Sequence, residues 1–243
     1  MTLAVLGATF ASLAFVFLNS FRSESPLHPD FGLRAPFEIL TPAMPTLTES
    51  EIATLLAPYL AVPPPKNIMP RLSTYLDLLL KWNARTNLTA IRDPEEIVRR
   101  HFGESLFAAS HLLPGTQTLL DFGSGAGFPG LPIALLRSEI AVTLAESQNK
   151  KSTFLREAVR TLQLSTNIWP NRVEAMPPAR QFHAVALRAV DNMEAALPAA
   201  RARSIPGGQL ILLTTAAQAP TNGHSIPLPN SQSGILYIET IVG

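Results

Sequence analysis

Thr118-Leu119-Leu120-Asp121-Phe122-Gly123-Ser124-Gly125-Ala126-Gly127 is a short apolar run, an acid, and a loop with glycine at every second position. An apolar helical segment follows over 127–137, and a second apolar run over 140–146 ends at Glu146. Glycine lets a backbone turn sharply and come close to a ligand. An acid closing the second strand can accept hydrogen bonds from both hydroxyls of a ribose. The stretch therefore predicts a nucleotide-type cofactor site at the end of the first strand of a parallel sheet.

Outward from it, strand and helix patterns alternate. A helix over 149–162 carries Phe154, Leu155, Ala158, Val159 and Leu162 as its core stripe. Short strands are expected at 167–169 and 183–187, then a helix from Asp191 to about Arg203. Pro206-Gly207-Gly208 should turn into a strand over 209–213, and the last apolar run, 234–242, reads as an edge hairpin strand. Such alternation gives a doubly wound α/β sheet with right-handed crossovers, a Rossmann-like architecture.

Upstream of 113 the pattern is helical. Thr48 and Glu51 form a capping box, with Leu47 able to pack on Ile52. A second helix follows Pro70, with Leu72, Tyr75, Leu76 and Leu79 on one face, and ends near Trp82-Asn83. A third begins at Asp93-Pro94-Glu95-Glu96, a capping acid followed by proline and acids in the first turn. The expected organisation is an extension over 1–45, a small helical cap over 46–112, and the α/β domain over 113–243. Residues 2–18 are almost wholly apolar, yet fall short of the ~20 residues of a spanning helix. No Lys or Arg precedes them and no small-residue cleavage site follows. A reading frame opened too far upstream, with Met44 as the start, is favoured over a membrane anchor. The proline-rich stretch 21–45 reads as a linker.

At 243 residues and 47% apolar, the chain can hold one large domain with a small appendage. A charged fraction of 15% argues against long charged tails, and a net charge of +1 says little about nucleic acid. The cations are mostly arginine, which suits phosphate and carboxylate forks. The absence of cysteine excludes disulfides, thiolate metal centres and a thiol nucleophile, and is compatible with a cytoplasmic setting.

The glycine loop fits two templates. Gly123-x-Gly125-x-Gly127 after Asp121 is the pattern of S-adenosylmethionine (SAM) sites, with Ser124 inside the loop and Phe128 just after it. Gly125-x-Gly127-x-x-Gly130 also matches the dinucleotide fingerprint, with Glu146 at about the ~20-residue offset. Asp121, Pro129 and Pro132 favour SAM, and too little chain remains for a second nucleotide half. Glu146 is expected at the ribose, against the plainer role of capping the next helix. Arg172-Val173-Glu174 follows the third strand, where SAM folds read the adenine; an ordinary solvent turn is an equal reading. Arg188 ends the fourth strand, poised for a cofactor carboxylate or a substrate phosphate. No Asn/Asp-Pro-Pro-aromatic run follows it, which counts against methylation of exocyclic amines. Arg92, Arg100 and His101, with Lys150, Lys151, Arg156 and Arg160, are the candidates for contacting RNA. A solvated helix face is the commoner role for any one of them.

Lys81-Trp82-Asn83-x-x-x-Asn87-Leu88-Thr89-Ala90-Ile91-Arg92-Asp93, Arg100-His101-x-x-Glu104-Ser105 and Asp121-x-Gly-x-Gly-x-Gly-x-Pro-Gly together resemble the bacterial RsmG (GidB) family. Lys150-Lys151-x-x-Phe154-Leu155-Arg156, Arg172-Val173-Glu174 and Arg188-Ala189 extend the resemblance, which covers about 48–213. It implies a SAM-dependent methyltransferase acting on N7 of a guanine in 16S ribosomal RNA, free or in a small-subunit precursor. It also implies that Gly123, Phe128, Val173, Glu174 and Arg188 contact the cofactor. Glu146 and Glu104 stand where the family usually has aspartate, and Thr214-Thr215-Ala216 stands where members often carry a lysine. Guanine N7 has a free lone pair and no proton, so alignment suffices and no acid–base residue is expected. Neither a metal nor a stable protein partner is implied. A SAM enzyme with another substrate and a non-catalytic RNA-binding relic are the alternative readings.

Overall fold

Helix α1 (Glu49–Leu56) opens where the capping box predicts. The Thr48 hydroxyl accepts the Glu51 amide at 3.2 Å and the Glu51 carboxylate accepts the Thr48 amide at 2.7 Å. The computed structural model describes residues 46–190 and 192–242, all within one compact unit, Ala43–Gly243. The apolar run 2–18, the linker 21–45, Met44 as a start and Asp191 as the opening of a helix lie outside the described residues.

After a 3₁₀ turn (Ala57–Tyr59), α2 spans Ile68–Thr86. It runs a turn past the expected end at Trp82-Asn83. Thr86 bonds back to the Trp82 carbonyl at 2.7 Å, and Asn87, at φ 54°, supplies the left-handed cap. Asn83 instead braces the next loop, its side chain donating to the Thr89 carbonyl and accepting the Thr89 amide, both at 3.0 Å. The third helix is not regular: α3 (Pro94–Glu96), capped by Asp93, passes into a π-helical stretch (Ile97–Gly103) and then α4 (Glu104–Ser110). Gly103 lies flat against the Tyr59 ring, where a β-carbon would come within 2.6 Å.

Strand β1 (Thr118–Phe122) is followed by α5 (Gly130–Leu136), β2 (Ala141–Ala145), α6 (Asn149–Thr161) and β3 (Asn167–Trp169). Then come β4 (Phe182–Arg188), α7 (Met193–Ala202), β5 (Ser204–Thr215), β6 (His224–Pro227) and β7 (Gly234–Thr240). They form a seven-stranded sheet in the order β3-β2-β1-β4-β5-β7-β6. Strands β1 to β5 pair in parallel, and β7 is antiparallel to both β5 and β6. This is the doubly wound α/β sheet the sequence predicts.

Two local expectations are corrected. The 234–242 run is not the edge: β7 lies one strand in, its Tyr237 fully buried, and β6 covers it. The edge was hidden because His224-Ser225-Ile226-Pro227 has one large apolar residue and little strand propensity. Pro206-Gly207-Gly208 does not precede β5 but bulges within it, with Gly207 at φ 77° and the register against β4 slipping between Phe182 and Ala184.

The helical segment shares the core on one sheet face with α5 and α6. Arg71 of α2 donates to the carbonyls of Leu162 and Gln163, closing the carboxyl end of α6, and Trp82 bonds Glu157 of α6 at 3.1 Å. Tyr75, fully buried, stacks on Phe102 and Phe128 at 5.1 and 5.3 Å and donates its hydroxyl to the Ala126 carbonyl inside the glycine loop. Tyr75→Phe keeps the stack and strands that carbonyl. It should cost about 1 kcal/mol in denaturant unfolding and speed hydrogen exchange at the loop amides. Unchanged stability and exchange would show that the hydroxyl does not hold the loop.

Candidate active site

Chain order reverses between β1 and β4, and in open parallel sheets the crevice at such a point receives the ligand. A cleft of about 820 Å³ opens there, at the carboxyl ends of the parallel strands. Its parts are the loop after β1, the acid after β2, the turn after β3 and the arginine ending β4.

The glycine loop needs its glycines. Gly123, Gly125 and Gly127 have φ of 72°, 55° and 91°, a region costly for any side chain. At Gly127 a β-carbon would also run into Leu131 and the Tyr75 hydroxyl. Beneath the loop sits Asp121, with no solvent exposure. One carboxylate oxygen accepts the Gly130 amide at 3.0 Å, and Oδ1 has no partner among the described residues. Burial raises its pKa to about 7, partly offset by the bond from Gly130, while the Ser124 hydroxyl donates to the Asp121 main-chain carbonyl at 3.0 Å. Glu146, 6% exposed, spans the loop from the far side, accepting the Gly125 amide at 3.0 Å and the Gln148 amide at 2.7 Å. Each of its oxygens keeps a lone pair for a further donor.

The turn after β3 is a 3₁₀ segment, Val173–Ala175, lining the cleft. The Ala175 and Met176 amides close it internally, whereas those of Val173 and Glu174 find no acceptor among the described residues.

Arg188, expected at a cofactor carboxylate or a substrate phosphate, is already engaged within the protein. Its side chain, 11% exposed, donates to Glu104 at 2.8 Å and to Nδ1 of His101 at 2.5 Å. Burial works against both charges of the pair, raising Glu104 and lowering Arg188, while each partner pulls the other back. Since Nδ1 of His101 accepts from Arg188, its Nε2–H donates to Thr89 at 2.8 Å. The ring stacks on Phe128 with centroids 4.7 Å apart. Burial, then the charges of Arg188 and Arg100, depress His101 to about 2, so it is neutral. Sequence reasoning could not see this network, because Thr89, His101, Glu104 and Arg188 meet only once the π-helical stretch packs against β4.

Of the residues singled out from sequence, Gly123, Ser124, Gly125, Phe128, Glu146, Val173, Glu174 and Arg188 line the cleft, and Gly127 does not, facing Leu131 and Tyr75 instead. Arg100, His101 and Lys151 also line it. Arg92, Lys150, Arg156 and Arg160 lie outside it and are exposed, Arg92 bonding Asn87 at 2.8 Å. Arg100 faces Glu96 and Glu104 at 3.5 and 3.8 Å. Arg172, in the turn expected at the adenine, is exposed on the rim of the cleft. Among the described residues no group of His, Asp or Glu is placed to hold a metal, and no helix is long and apolar enough to cross a membrane.

A doubly wound sheet with a glycine loop after β1 and an acid after β2 defines the methyltransferase-type α/β class. A candidate O-methyltransferase structure from Klebsiella pneumoniae shares that fold at TM-score 0.50 and 12% identity, over 79% of this chain and 96% of that one. The family model for rRNA small subunit methyltransferase G (GidB) matches residues 68–222, and the chain belongs to that family. It is 39% identical over 140 residues to the ribosomal RNA small subunit methyltransferase G of Xanthomonas euvesicatoria, covering 57% of this chain and 65% of that protein. The Chromobacterium violaceum protein of the same name is 40% identical over 143 residues, 58% of this chain and 68% of that protein. The aligned region thus spans about two thirds of these relatives.

Asp121 sets a pH dependence. Its folded pKa, about 7, lies above the ordinary 3.8, so its contribution to stability is whole below about pH 4 and lost as pH rises through about 7. His101 acts oppositely, its contribution present above about 6.5 and lost as pH falls toward about 2. Asp121→Asn removes only the first effect. Relative to the unaltered chain, the variant's Tm should rise between about pH 5 and about pH 8. An equal gap at both values would mean that Asp121 is not protonated in the folded state.

Proposed function

We propose that this chain transfers a methyl group from SAM to N7 of a guanine in 16S ribosomal RNA, in the cytoplasm, on free RNA or a small-subunit precursor. One observation carries the reading. In a chain of this family, a left-handed glycine loop, a carboxylate with spare lone pairs and two unengaged amides converge on one cleft.

The residues fit that cofactor. The loop around Gly123 and Gly125 presents backbone without side chains to the amino-acid end. Glu146, already fixed by two amides, has acceptor capacity left for ribose hydroxyls. The Val173 and Glu174 amides offer donors to the acceptor nitrogens of an adenine. The sulfonium, when bound, supplies a methyl group already activated for transfer. The chain's task is then to hold donor and base in line at contact distance, which can supply much of the rate by itself. No proton leaves N7, and His101, neutral with both ring nitrogens engaged, fits a site without a general base. The methylated base gains positive charge, and Arg188, neutralised by Glu104, adds little repulsion to it.

Lys150, Lys151, Arg156 and Arg160 lie on α6, which begins beside Glu146, and Arg172 stands on the rim. They supply the cations for an RNA backbone, with Arg92 and Arg100 on the helical side. β5 ends on the uncharged pair Thr214-Thr215, so α6 and the rim bear that task here.

Mapping N7-methylguanine in 16S RNA from cells with and without the gene tests the reaction. One modified guanine should vanish with the gene; an unchanged map removes the proposal, and methyl incorporation without RNA would mean another substrate. Glu146→Ala should weaken S-adenosylhomocysteine binding in calorimetry by roughly ten- to a hundredfold, the cost of losing a charged acceptor. Affinity left unchanged would exclude Glu146 from the ribose.

A further inference from the structure

Arg203 closes α7 and is only 8% exposed, yet no carboxylate pairs with it among the described residues. A buried guanidinium without a counter-charge is costly unless its donors are satisfied. Among the described residues its partners are all main-chain carbonyls. Nη1 donates to Pro177 at 2.6 Å, and Nη2 to Met176 at 2.6 Å and to Val173 at 3.3 Å. These carbonyls belong to the 3₁₀ turn after β3 and the residues leaving it.

The base of this side chain is itself fixed. The Arg203 amide donates to Ala200 at 3.1 Å, and its carbonyl accepts the first amide of β4, from Phe182, at 2.8 Å. The arginine thus clamps the turn from beneath the cleft to the junction of α7, β4 and β5. The Val173 carbonyl and the Glu174 amide share one trans peptide, so drawing that carbonyl inward turns the Glu174 amide outward. The amides of Val173 and Glu174 have no acceptors among the described residues, on a segment lining the cleft.

We propose that Arg203 is a positioning residue for base selection in the cofactor site. By holding the turn, it fixes backbone donors that accept adenine and reject a purine carrying a proton at N1. This rests on the SAM reading above. Adenine N1 is an acceptor; in hypoxanthine the same atom is N–H and would face an N–H. A mismatch of that kind leaves a desolvated donor unpaired, whereas a loose turn could swing away and relieve it.

The test compares S-adenosylhomocysteine with S-inosylhomocysteine by calorimetry on the unaltered chain, Arg203→Lys and Arg203→Met. The unaltered chain should prefer the adenosyl compound by roughly tenfold or more, the cost of an unpaired donor. Arg203→Met should bring the two affinities to within about threefold, and Arg203→Lys, which keeps the charge and fewer bonds, should fall between. If Arg203→Met does not fold, Arg203→Lys decides alone. A preserved ratio in a folded variant that binds both compounds more weakly, or merely melts lower, would reduce Arg203 to a structural role. Failure of the unaltered chain to bind the adenosyl compound would remove the cofactor reading and this inference with it. Binding without preference would remove this inference only.

Discussion

The bond between the Asp121 carboxylate and the Gly130 amide is the constraint on which the site is built. It joins the penultimate residue of β1 to the first residue of α5 across a loop whose glycines have no side chains to pack. Gly130 has no room for a substituent, since a β-carbon would come within 2.5 Å of the same carboxylate oxygen. The loop's left-handed conformation, the approach of Glu146 and the direction of α5 all follow from closing that short span. The carboxyl group is held at the cost of its solvation, with one oxygen unpartnered among the described residues. Such a cost is tolerated where a backbone must be kept in one shape for a ligand.

The helical segment completes the site rather than decorating it. Tyr75 bonds the Ala126 carbonyl from beneath the loop, Phe128 lies between Tyr75 and His101, and His101 meets Arg188 at the end of β4. A single chain of contacts therefore runs from α2 through the loop to the π-helical stretch and the fourth strand. Widening that helix to π geometry coincides with the turn that brings Arg100 and His101 to the cleft while Phe102 stays in the core. Irregular turns of this kind are frequent at functional sites.

Much of this was legible in the sequence, and the reasons are local. Alternating glycines after an apolar run, an acid after the next run and the capping residues Thr48 and Asp93 each act within a few positions of themselves, so their reading needs no tertiary knowledge. Strand β6 was not legible because its pairing with β7 comes from the neighbour and not from its own propensity. The state of Arg188 was not legible either. Its position at a strand end could be foreseen, but its neutralisation by Glu104 joins residues 84 positions apart. Arg203 gave no signal at all, because a helix-terminal arginine is ordinarily a solvated cap.

Arg188 and Arg203 solve one electrostatic problem in different ways. The proposed donor is a cation and the methylated base becomes one, so a free positive charge on the inner wall would oppose both. Arg188 lies on that wall, and it is paired with Glu104 beside a histidine whose protonation is suppressed. Arg203 lies below it, where carbonyl dipoles suffice and a carboxylate would compete for the donors that hold the turn. The unspent cations, Lys150, Arg156, Arg160 and Arg172, are exposed at the rim and beyond, where RNA phosphates would be met. Charge is thus sorted by depth: compensated where the methyl group would move, exposed where a polyanion would be captured.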